Sequence, residues 1–202
     1  MSIVAAGRTW GEGIALLVVD VQNDFADPAG SLSVTGGHEI IPLVDDLVAA
    51  ATAEGSPVFY TQDWHPPSTP HFAQDGGIWP VHCVAGTWGA ELHPALDAPA
   101  AAPRVRKGAN GEDGYSGFRG RDPVTGEEGP TPLEGLLRDA AVRRVVIAGL
   151  ATDYCVKASA LDAVRLGFEV EVRADAVAAV DIEAGDGERA LAEMAEAGVR
   201  IR

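Results

Sequence analysis

Cysteine is scarce in this sequence of 202 residues, which contains only Cys83 and Cys155. The two could form one disulfide, but 47% of the chain is hydrophobic, enough to build one sizeable core without a covalent link. We therefore interpret both cysteines first as thiols. A single domain spanning residues 1–202 is expected.

Long hydrophobic runs are absent as well. No apolar stretch approaches the roughly 18 residues that a membrane-spanning helix requires, and the N-terminus lacks the basic and then apolar pattern of a signal peptide. We expect a cytoplasmic protein, either a monomer or a homo-oligomer, with no membrane partner.

Basic residues are few: 15 Lys and Arg stand against 30 Asp and Glu, which gives a formal net charge of -15. Such a charge repels polyanions, so nucleic acid and anionic membrane surfaces are poor candidates as partners. A small neutral molecule is the ligand that this balance favours.

Short apolar segments alternate with segments of helical periodicity. Strands are predicted at 14–19, 57–62, 144–149, 168–173 and 199–202. Helices are predicted at 38–54, 131–141, 154–166 and 186–197, with a short helical piece at 174–180. This order predicts an α/β fold, a three-layer sandwich with a mostly parallel central sheet flanked by helices.

Ligands bind such sheets beyond the carboxyl ends of the strands. Residues 63–120 are rich in Gly, Pro, Trp and His and show little periodicity. Because a structureless stretch of this length in a compact domain is usually functional, we predict that it contains the site.

Cys155 follows the predicted strand 144–149 and stands on the first turn of the next predicted helix. The partial positive charge of a helix N-terminus lowers a thiol pKa from about 8.5, which favours the nucleophilic thiolate. Free backbone N–H groups of the same turn could stabilise an oxyanion. Packing explains a single buried cysteine equally well, so position alone leaves both interpretations open.

Asp20 ends the first predicted strand and could act as a general base for such a thiol, although alone it is better explained as a brace for the following loop. Lys107 lies at an apparent strand end and is a surface residue unless it meets Asp20. Unit charges about 4 Å apart attract by roughly 4 kcal/mol at an effective dielectric near 20. We expect that attraction to outweigh moderate desolvation and to hold the Asp20 carboxylate ionised.

Four of the five histidines fall in one short window: His65, His71, His82 and His93. Asp63 and His65 are two residues apart, so on an extended segment both point to the same side, as metal ligands do. His71 and His82 could complete a site of nitrogen and oxygen donors suited to Zn, Fe or Mn. The alternative is a set of scattered loop histidines.

Two aromatic residues are candidates for binding a planar ring. Phe25 and Trp79 could stack on a flat ligand, although core packing explains either nearly as well. We interpret Cys83, His38 and His93 as structural.

Taken in order, these residues match a known pattern. The motifs are Val18-Val19-Asp20-Val21-Gln22-Asn23-Asp24-Phe25, Asp63-Trp64-His65, Trp79-Pro80-Val81-His82-Cys83-Val84, Lys107-Gly108, Tyr115-Ser116-Gly117-Phe118 and Gly149-Leu150-Ala151-Thr152-Asp153-Tyr154-Cys155-Val156. The sequence resembles the nicotinamidase/pyrazinamidase branch of the isochorismatase-like hydrolases, whose motifs run in this order across almost the whole chain.

The resemblance implies the isochorismatase-like fold and hydrolysis of nicotinamide to nicotinate and ammonia through a cysteine thioester, with action on pyrazinamide also expected. It implies a catalytic triad of Asp20, Lys107 and Cys155. The oxyanion would be bound by the backbone N–H groups of Ala151 and Cys155, next to a cis peptide between Leu150 and Ala151.

The resemblance also implies one divalent metal ion, Zn, Fe or Mn, which holds the ring nitrogen of the substrate. The matching metal ligands are Asp63, His65, His71 and His82. Phe25 and Trp79 match the positions that sandwich the ring. The loop 110–115 and Tyr154 lie where family members vary, and no expectation is attached to them.

Three alternatives remain open at this point. A carbamoyl-amide hydrolase of the same superfamily would share the triad without the metal cluster, and the metal-ligand matches argue against it. The isochorismatases proper lack the cysteine, so Cys155 disfavours vinyl-ether hydrolysis. A non-catalytic binding protein with a structural metal is disfavoured by the complete set of Asp20, Lys107 and Cys155.

Overall fold

The structure, a computed structural model, describes residues 9–202. Residues 1–8 lie outside the described residues. They include the N-terminus, to which the expected absence of a signal peptide refers, and the first part of the predicted domain.

A six-stranded parallel sheet forms the centre of the fold. In chain order the strands are β1 (Ile14–Val19), β2 (Val58–Asp63), β3 (Arg104–Lys107), β4 (Arg119–Arg121), β5 (Glu128–Pro130), β6 (Arg144–Leu150), β7 (Glu169–Ala178) and β8 (Arg200–Ile201). The sheet has the order β3-β2-β1-β6-β7-β8, while β4 and β5 form a separate antiparallel hairpin. Both β1 and β6 are buried along their whole length, as expected for central strands covered on two faces.

Helices cover both faces of this sheet. They are α1 (Asn23–Ala26), α2 (Ile41–Ala53), α3 (Leu133–Asp139), α4 (Lys157–Arg165) and α5 (Asp186–Glu196). On one face, Val44 of α2 and Leu16 of β1 belong to the same hydrophobic cluster. On the other face, Leu137 of α3 and Met194 of α5 share a second cluster with Leu17 of β1. Adjacent residues of a strand point to opposite faces. The predicted three-layer α/β sandwich is therefore confirmed.

No described helix is long and apolar enough to cross a membrane. The irregular stretch predicted at 63–120 is largely confirmed. Between β2 and β3 the chain forms two short 3-10 turns, Ala73–Asp75 and Trp88–Ala90, and a few isolated β-bridges.

The helical piece predicted at 174–180 is wrong, because β7 continues to Ala178. Its pairing with β6 shifts register between Ile147 and Gly149, after which Gly149 pairs with Val177 and Leu150 with Ala178. The alanine-rich composition of the segment favours a helix, but the ladder formed along the end of β6 overrides that local preference.

The helix predicted at 154–166 begins differently from expected. The chain first forms a π-helical turn at Thr152–Val156, and the regular helix α4 starts only at Lys157. Cys155 therefore lies in the π-helical turn rather than on the first turn of an α-helix. Such turns occur frequently at functional sites.

Candidate active site

The candidate site is built at the carboxyl ends of four neighbouring strands. Asp20 follows β1, Asp63 and Lys107 are the last residues of β2 and β3, and Cys155 lies beyond β6. Because these strands are adjacent in the order β3-β2-β1-β6, the four side chains arrive at one edge of the sheet.

Gly149 allows β6 and β1 to approach closely at this edge. It has a φ of +117°, and a Cβ atom there would lie 2.1 Å from the carbonyl oxygen of Val19. Only glycine accepts both conditions. Because β6 and β1 lie so close together here, Cys155 is near Asp20: one Asp20 oxygen and the Cys155 sulfur lie within 4.8 Å of each other.

The structure brings the three residues of the predicted triad together. Lys107 Nζ lies 2.9 Å from Asp20 Oδ2 and donates a 3.4 Å hydrogen bond to Cys155 Sγ. Thr61 Oγ1 donates to Asp20 Oδ1 at 2.6 Å. All four side chains are buried, so one hydrogen bond and one ion pair hold the carboxylate. Thr61 was not among the predicted site residues, since a threonine inside a strand carries no distinctive sequence signal.

The expected lowering of the Cys155 pKa is wrong in direction. Burial raises the pKa of the thiol well above its ordinary value, and nearby Asp20 and Asp63 add to that effect, while Lys107 opposes it. Burial of the thiol outweighs the favourable charge of Lys107, and Cys155 does not lie on the first turn of a regular α-helix. Cys155 therefore rests as a protonated thiol and needs a base before it can attack.

The expectation that the attraction of Lys107 outweighs the desolvation of Asp20 is also wrong. Burial raises the pKa of Asp20 above its usual range, although the positive charge of Lys107 opposes the rise. Burial would also raise the pKa of Asp63, but there Lys107 and then His65 outweigh it, and the pKa of that carboxyl falls far below its usual range. Lys107 shares its charge between two carboxylates, because it also donates a hydrogen bond to Asp63.

Three of the predicted metal ligands form a buried cluster. One ring nitrogen from each of His65, His71 and His82 lies within 4.8 Å of the others. Oδ2 of Asp63 lies 3.7 Å from His65 Nε2 and 3.9 Å from His82 Nε2, so a carboxylate oxygen stands beside the imidazoles. The structure thus gathers the four predicted ligands in one place.

The surroundings of these side chains fit a metal ion. Neither ring nitrogen of His65 has a hydrogen-bond partner within residues 9–202, although both are buried. Nδ1 of His71 lies 2.7 Å from Asp113 Oδ1, and Nδ1 of His82 lies 2.7 Å from the carbonyl oxygen of Pro80. Because a metal-binding imidazole gives its second nitrogen to such an acceptor, Nε2 of both rings is left for a metal.

Gly108 keeps the cluster compact. It has a φ of +78°, and a Cβ atom there would lie 2.6 Å from His65 Nδ1. The residue after Lys107 must therefore be glycine for β3 to end directly beside the imidazole.

A pocket opens onto both groups. The predicted ring-binding residues Phe25 and Trp79 line it, together with Tyr115 and Tyr154. The Trp79 and Tyr154 rings meet edge to face at 5.0 Å, and Trp79 Nε1 donates a 3.1 Å hydrogen bond to the Tyr115 hydroxyl. Neither tyrosine is among the site residues predicted from the sequence.

The turn that carries Cys155 is closed by backbone hydrogen bonds. The carbonyl oxygen of Ala151 accepts the N–H groups of Tyr154 at 3.1 Å and Val156 at 3.0 Å. The peptide between Leu150 and Ala151 is cis, as the resemblance implied. Ala151 and Cys155 both line the pocket, so their backbones adjoin the space open to a ligand.

Known proteins resemble this chain over most of its length. The family model described as Isochorismatase domain matches residues 14–202. The chain is 42% identical over 190 residues to the nicotinamidase/pyrazinamidase of Mycobacterium tuberculosis, with 93% of this chain and 97% of that protein covered. It is 37% identical over 203 residues to the nicotinamidase of Escherichia coli, with 93% of each covered.

Among solved structures, the pyrazinamidase of Pyrococcus horikoshii in complex with zinc superposes with a TM-score of 0.84 at 41% identity, covering 94% of this chain and 98% of that one. The family match includes every strand of the sheet and every predicted site residue. The chain belongs to the Isochorismatase domain family.

Proposed function

We propose that the protein is a nicotinamidase, which hydrolyses nicotinamide to nicotinate and ammonia and also accepts pyrazinamide. The observation that carries the proposal is the convergence of Asp20, Lys107 and Cys155 beside the cluster of His65, His71, His82 and Asp63, in one aromatic pocket. Relatives whose names state this activity, at 37% and 42% identity, support it.

Asp20 acts first as the general base. The Cys155 thiol has a raised pKa, so it is protonated at rest, and the raised pKa of Asp20 makes this carboxylate a stronger base than an exposed aspartate. Asp20 takes the thiol proton and the sulfur attacks the carboxamide carbon. The carbonyl electron pair moves to oxygen, where the N–H groups of Ala151 and Cys155 stabilise the negative charge.

The intermediate then collapses. The oxygen electron pair restores the carbonyl, the C–N bond breaks, and the leaving nitrogen takes the proton from Asp20 to depart as ammonia. Water attacks the thioester while Asp20 accepts its proton, the C–S bond breaks, and Asp20 returns that proton to the departing sulfur, which regenerates the Cys155 thiol. The released nicotinic acid loses its own proton to solvent and leaves as nicotinate. Lys107 orients Asp20 throughout, through their 2.9 Å ion pair.

Asp63, His65, His71 and His82 would hold one divalent ion, with three nitrogen donors and one oxygen donor, a set suited to Zn, Fe or Mn. Such an ion supplies a Lewis-acid site for the ring nitrogen of the substrate. Phe25 and Trp79 hold the ring by its faces, which restricts its orientation before attack.

The compartment that suits this chemistry is a reducing one. Both Cys83 and Cys155 are free thiols in the structure, and a nucleophilic thiol must stay reduced. We therefore place the enzyme in the cytoplasm, acting on a small molecule.

A panel of amides tests the proposal. Ammonia release is measured with nicotinamide, pyrazinamide, benzamide and an N-carbamoyl amino acid, and the same protein sample is analysed for bound metal. We expect turnover of the first two and little of benzamide, which lacks the ring nitrogen. Equal turnover of benzamide would show that the ring nitrogen is not recognised. Preference for the N-carbamoyl compound would favour the alternative amidase.

Loss of the nucleophile provides the matching control. Cys155→Ala is expected to abolish ammonia release, while Cys83→Ala removes the other thiol and leaves the triad intact. Activity that survives Cys155→Ala would mean that the nucleophile is assigned wrongly.

A further inference from the structure

The three histidines of the cluster differ in what holds their second ring nitrogen. Asp113 Oδ1 lies 2.7 Å from Nδ1 of His71, whereas Nδ1 of His82 meets only the carbonyl oxygen of Pro80, and Nδ1 of His65 has no hydrogen-bond partner among the described residues. Asp113 is thus a charged support that reaches the cluster from outside it. It comes from the loop between β3 and β4, a segment with no role in the triad.

Asp113 is itself held in place from several directions. Its Oδ1 also accepts the N–H of Gly114 at 2.9 Å, and its Oδ2 accepts a 3.1 Å hydrogen bond from Arg121 Nη2. The backbones of Asp113 and Arg121 bond in both directions at 2.7 Å. The carboxylate is therefore presented to His71 in one orientation by the structure of its own loop.

A carboxylate in this position has two physical effects on the imidazole. It keeps the proton of His71 on Nδ1, so that the lone pair of Nε2 faces the cluster, and it fixes the orientation of the ring. The His71 side chain is 7% exposed and Asp113 is 29% exposed, so water screens their interaction only in part.

The same loop reaches the wall of the substrate pocket. Tyr115, two residues after Asp113, accepts the hydrogen bond from Trp79 Nε1 and lies edge to face with His71 at 6.3 Å. A shift of Asp113 would therefore move a metal ligand and an aromatic wall together.

We propose that Asp113 is a positioning residue of the metal site, which sets metal affinity through His71 and fixes Tyr115 against Trp79. The proposal rests on the metal site of the proposed function. It assigns a role to a loop position that belongs neither to the triad nor to the metal ligands.

The test measures the dissociation constant of Zn²⁺ for the full-length protein, stripped of metal, by competition with a chromophoric chelator. Asp113→Ala is expected to raise the dissociation constant by about 10–100-fold, the usual effect of losing such a support. Asp113→Asn keeps an oxygen acceptor for His71 without the charge, so it should restore part of the affinity. Arg119→Gln is the matched control, because it removes an exposed ion pair with Glu128 from the neighbouring hairpin and does not touch Asp113, so it should bind Zn²⁺ nearly as wild type does.

A double-mutant cycle separates this role from a general loss of loop structure. In a His71→Ala background, Asp113→Asn should cause no further change in Zn²⁺ affinity, because its effect passes through the missing imidazole. An equal loss in both backgrounds, or wild-type affinity in Asp113→Ala, would overturn the proposal. If the wild-type protein binds no divalent metal, the metal site of the proposed function fails and this inference fails with it.

Discussion

Lys107 and Asp20 form a completely enclosed ion pair, with Nζ and Oδ2 2.9 Å apart and both side chains buried. The same ammonium group donates to Asp63, so one cation serves two carboxylates. Burial would lower the pKa of Lys107, but Asp20 and Asp63 outweigh it and raise the pKa well above its ordinary value. Lys107 thus remains charged and joins the predicted triad to the predicted metal ligands.

Removing the cation is expected to destabilise the fold as well as abolish activity. Lys107→Met leaves Asp20 and Asp63 buried without their cation, and breaking a buried pair in this way costs about 3–5 kcal/mol. The free energy of unfolding, measured by urea denaturation, provides the check. Lys157→Met is the control: Lys157 pairs with Glu193 at 3.2 Å near the surface, where such a pair contributes about 1 kcal/mol or less. Similar losses in both variants would contradict the buried-pair account.

Sequence patterns locate the strands of this fold better than they locate its site. Ile14–Val19 is predicted with its observed bounds because a continuous apolar run ending at a polar residue is typical of a buried parallel strand. The end of β7 is missed because its extension depends on pairing with β6, which is not encoded in its own residues. Local patterns give strand identity, and tertiary pairing decides where a strand stops.

The residues of the site are likewise only partly predictable from local sequence patterns. Asp20 and Lys107 meet because the strands lie in the order β3-β2-β1, and no local sequence pattern reveals that order. Their pairing was predicted only from the ordered family motifs. Asp113 and Tyr115 have no periodicity or spacing that marks them, since they reach the site through a loop. The pKa of Cys155 was predicted in the wrong direction because burial cannot be judged from a position in the sequence.

The protonated state of Cys155 predicts a steep pH dependence of its alkylation. Because burial raises the pKa of the thiol, the reactive thiolate is scarce at neutral pH and increases as the pH rises past the ordinary thiol pKa of about 8.5. The rate of iodoacetamide labelling, followed by peptide mass spectrometry that distinguishes Cys155 from Cys83, should still be rising above pH 9. A plateau below pH 8 would show that the thiolate already predominates at neutral pH.

Asp153 is expected to support the pocket although it does not touch the triad. Its two oxygens accept the backbone N–H groups of Val180 at 3.0 Å and Asp181 at 2.9 Å, and Val180 lines the pocket. Asp153→Asn replaces one acceptor with a donor and leaves a backbone N–H unpaired, at a cost of about 1–3 kcal/mol. Thermal unfolding should shift downward and KM should rise more than kcat falls.

The control for Asp153 is an aspartate that makes only a surface contact. Asp175 is 53% exposed and pairs with Arg173 at 3.0 Å, so Asp175→Asn should leave both stability and KM close to wild type. A KM unchanged in Asp153→Asn would mean that the position of Val180 does not depend on this carboxylate.

Gly89 is expected to be intolerant of even one methyl group, because a buried carboxylate occupies the space beside it. A Cβ atom at Gly89 would lie 1.9 Å from Oδ2 of Asp24, the oxygen that accepts the N–H of Cys83 at 2.7 Å. Asp24 would have to move and release that N–H, which directly follows His82, one of the predicted metal ligands. Overpacking of this kind costs about 1–3 kcal/mol before the lost hydrogen bond is added.

A second alanine substitution separates this collision from the general effect of replacing a glycine. Gly135 lies in α3 with open space around its Cα, so Gly135→Ala should stabilise the protein by about 0.5–1 kcal/mol through helix propensity. Gly89→Ala should instead lower the melting temperature and, because His82 precedes the displaced segment, weaken Zn²⁺ binding. If Gly89→Ala lowered the melting temperature with Zn²⁺ affinity unchanged, Asp24 would support the fold alone and would not position His82.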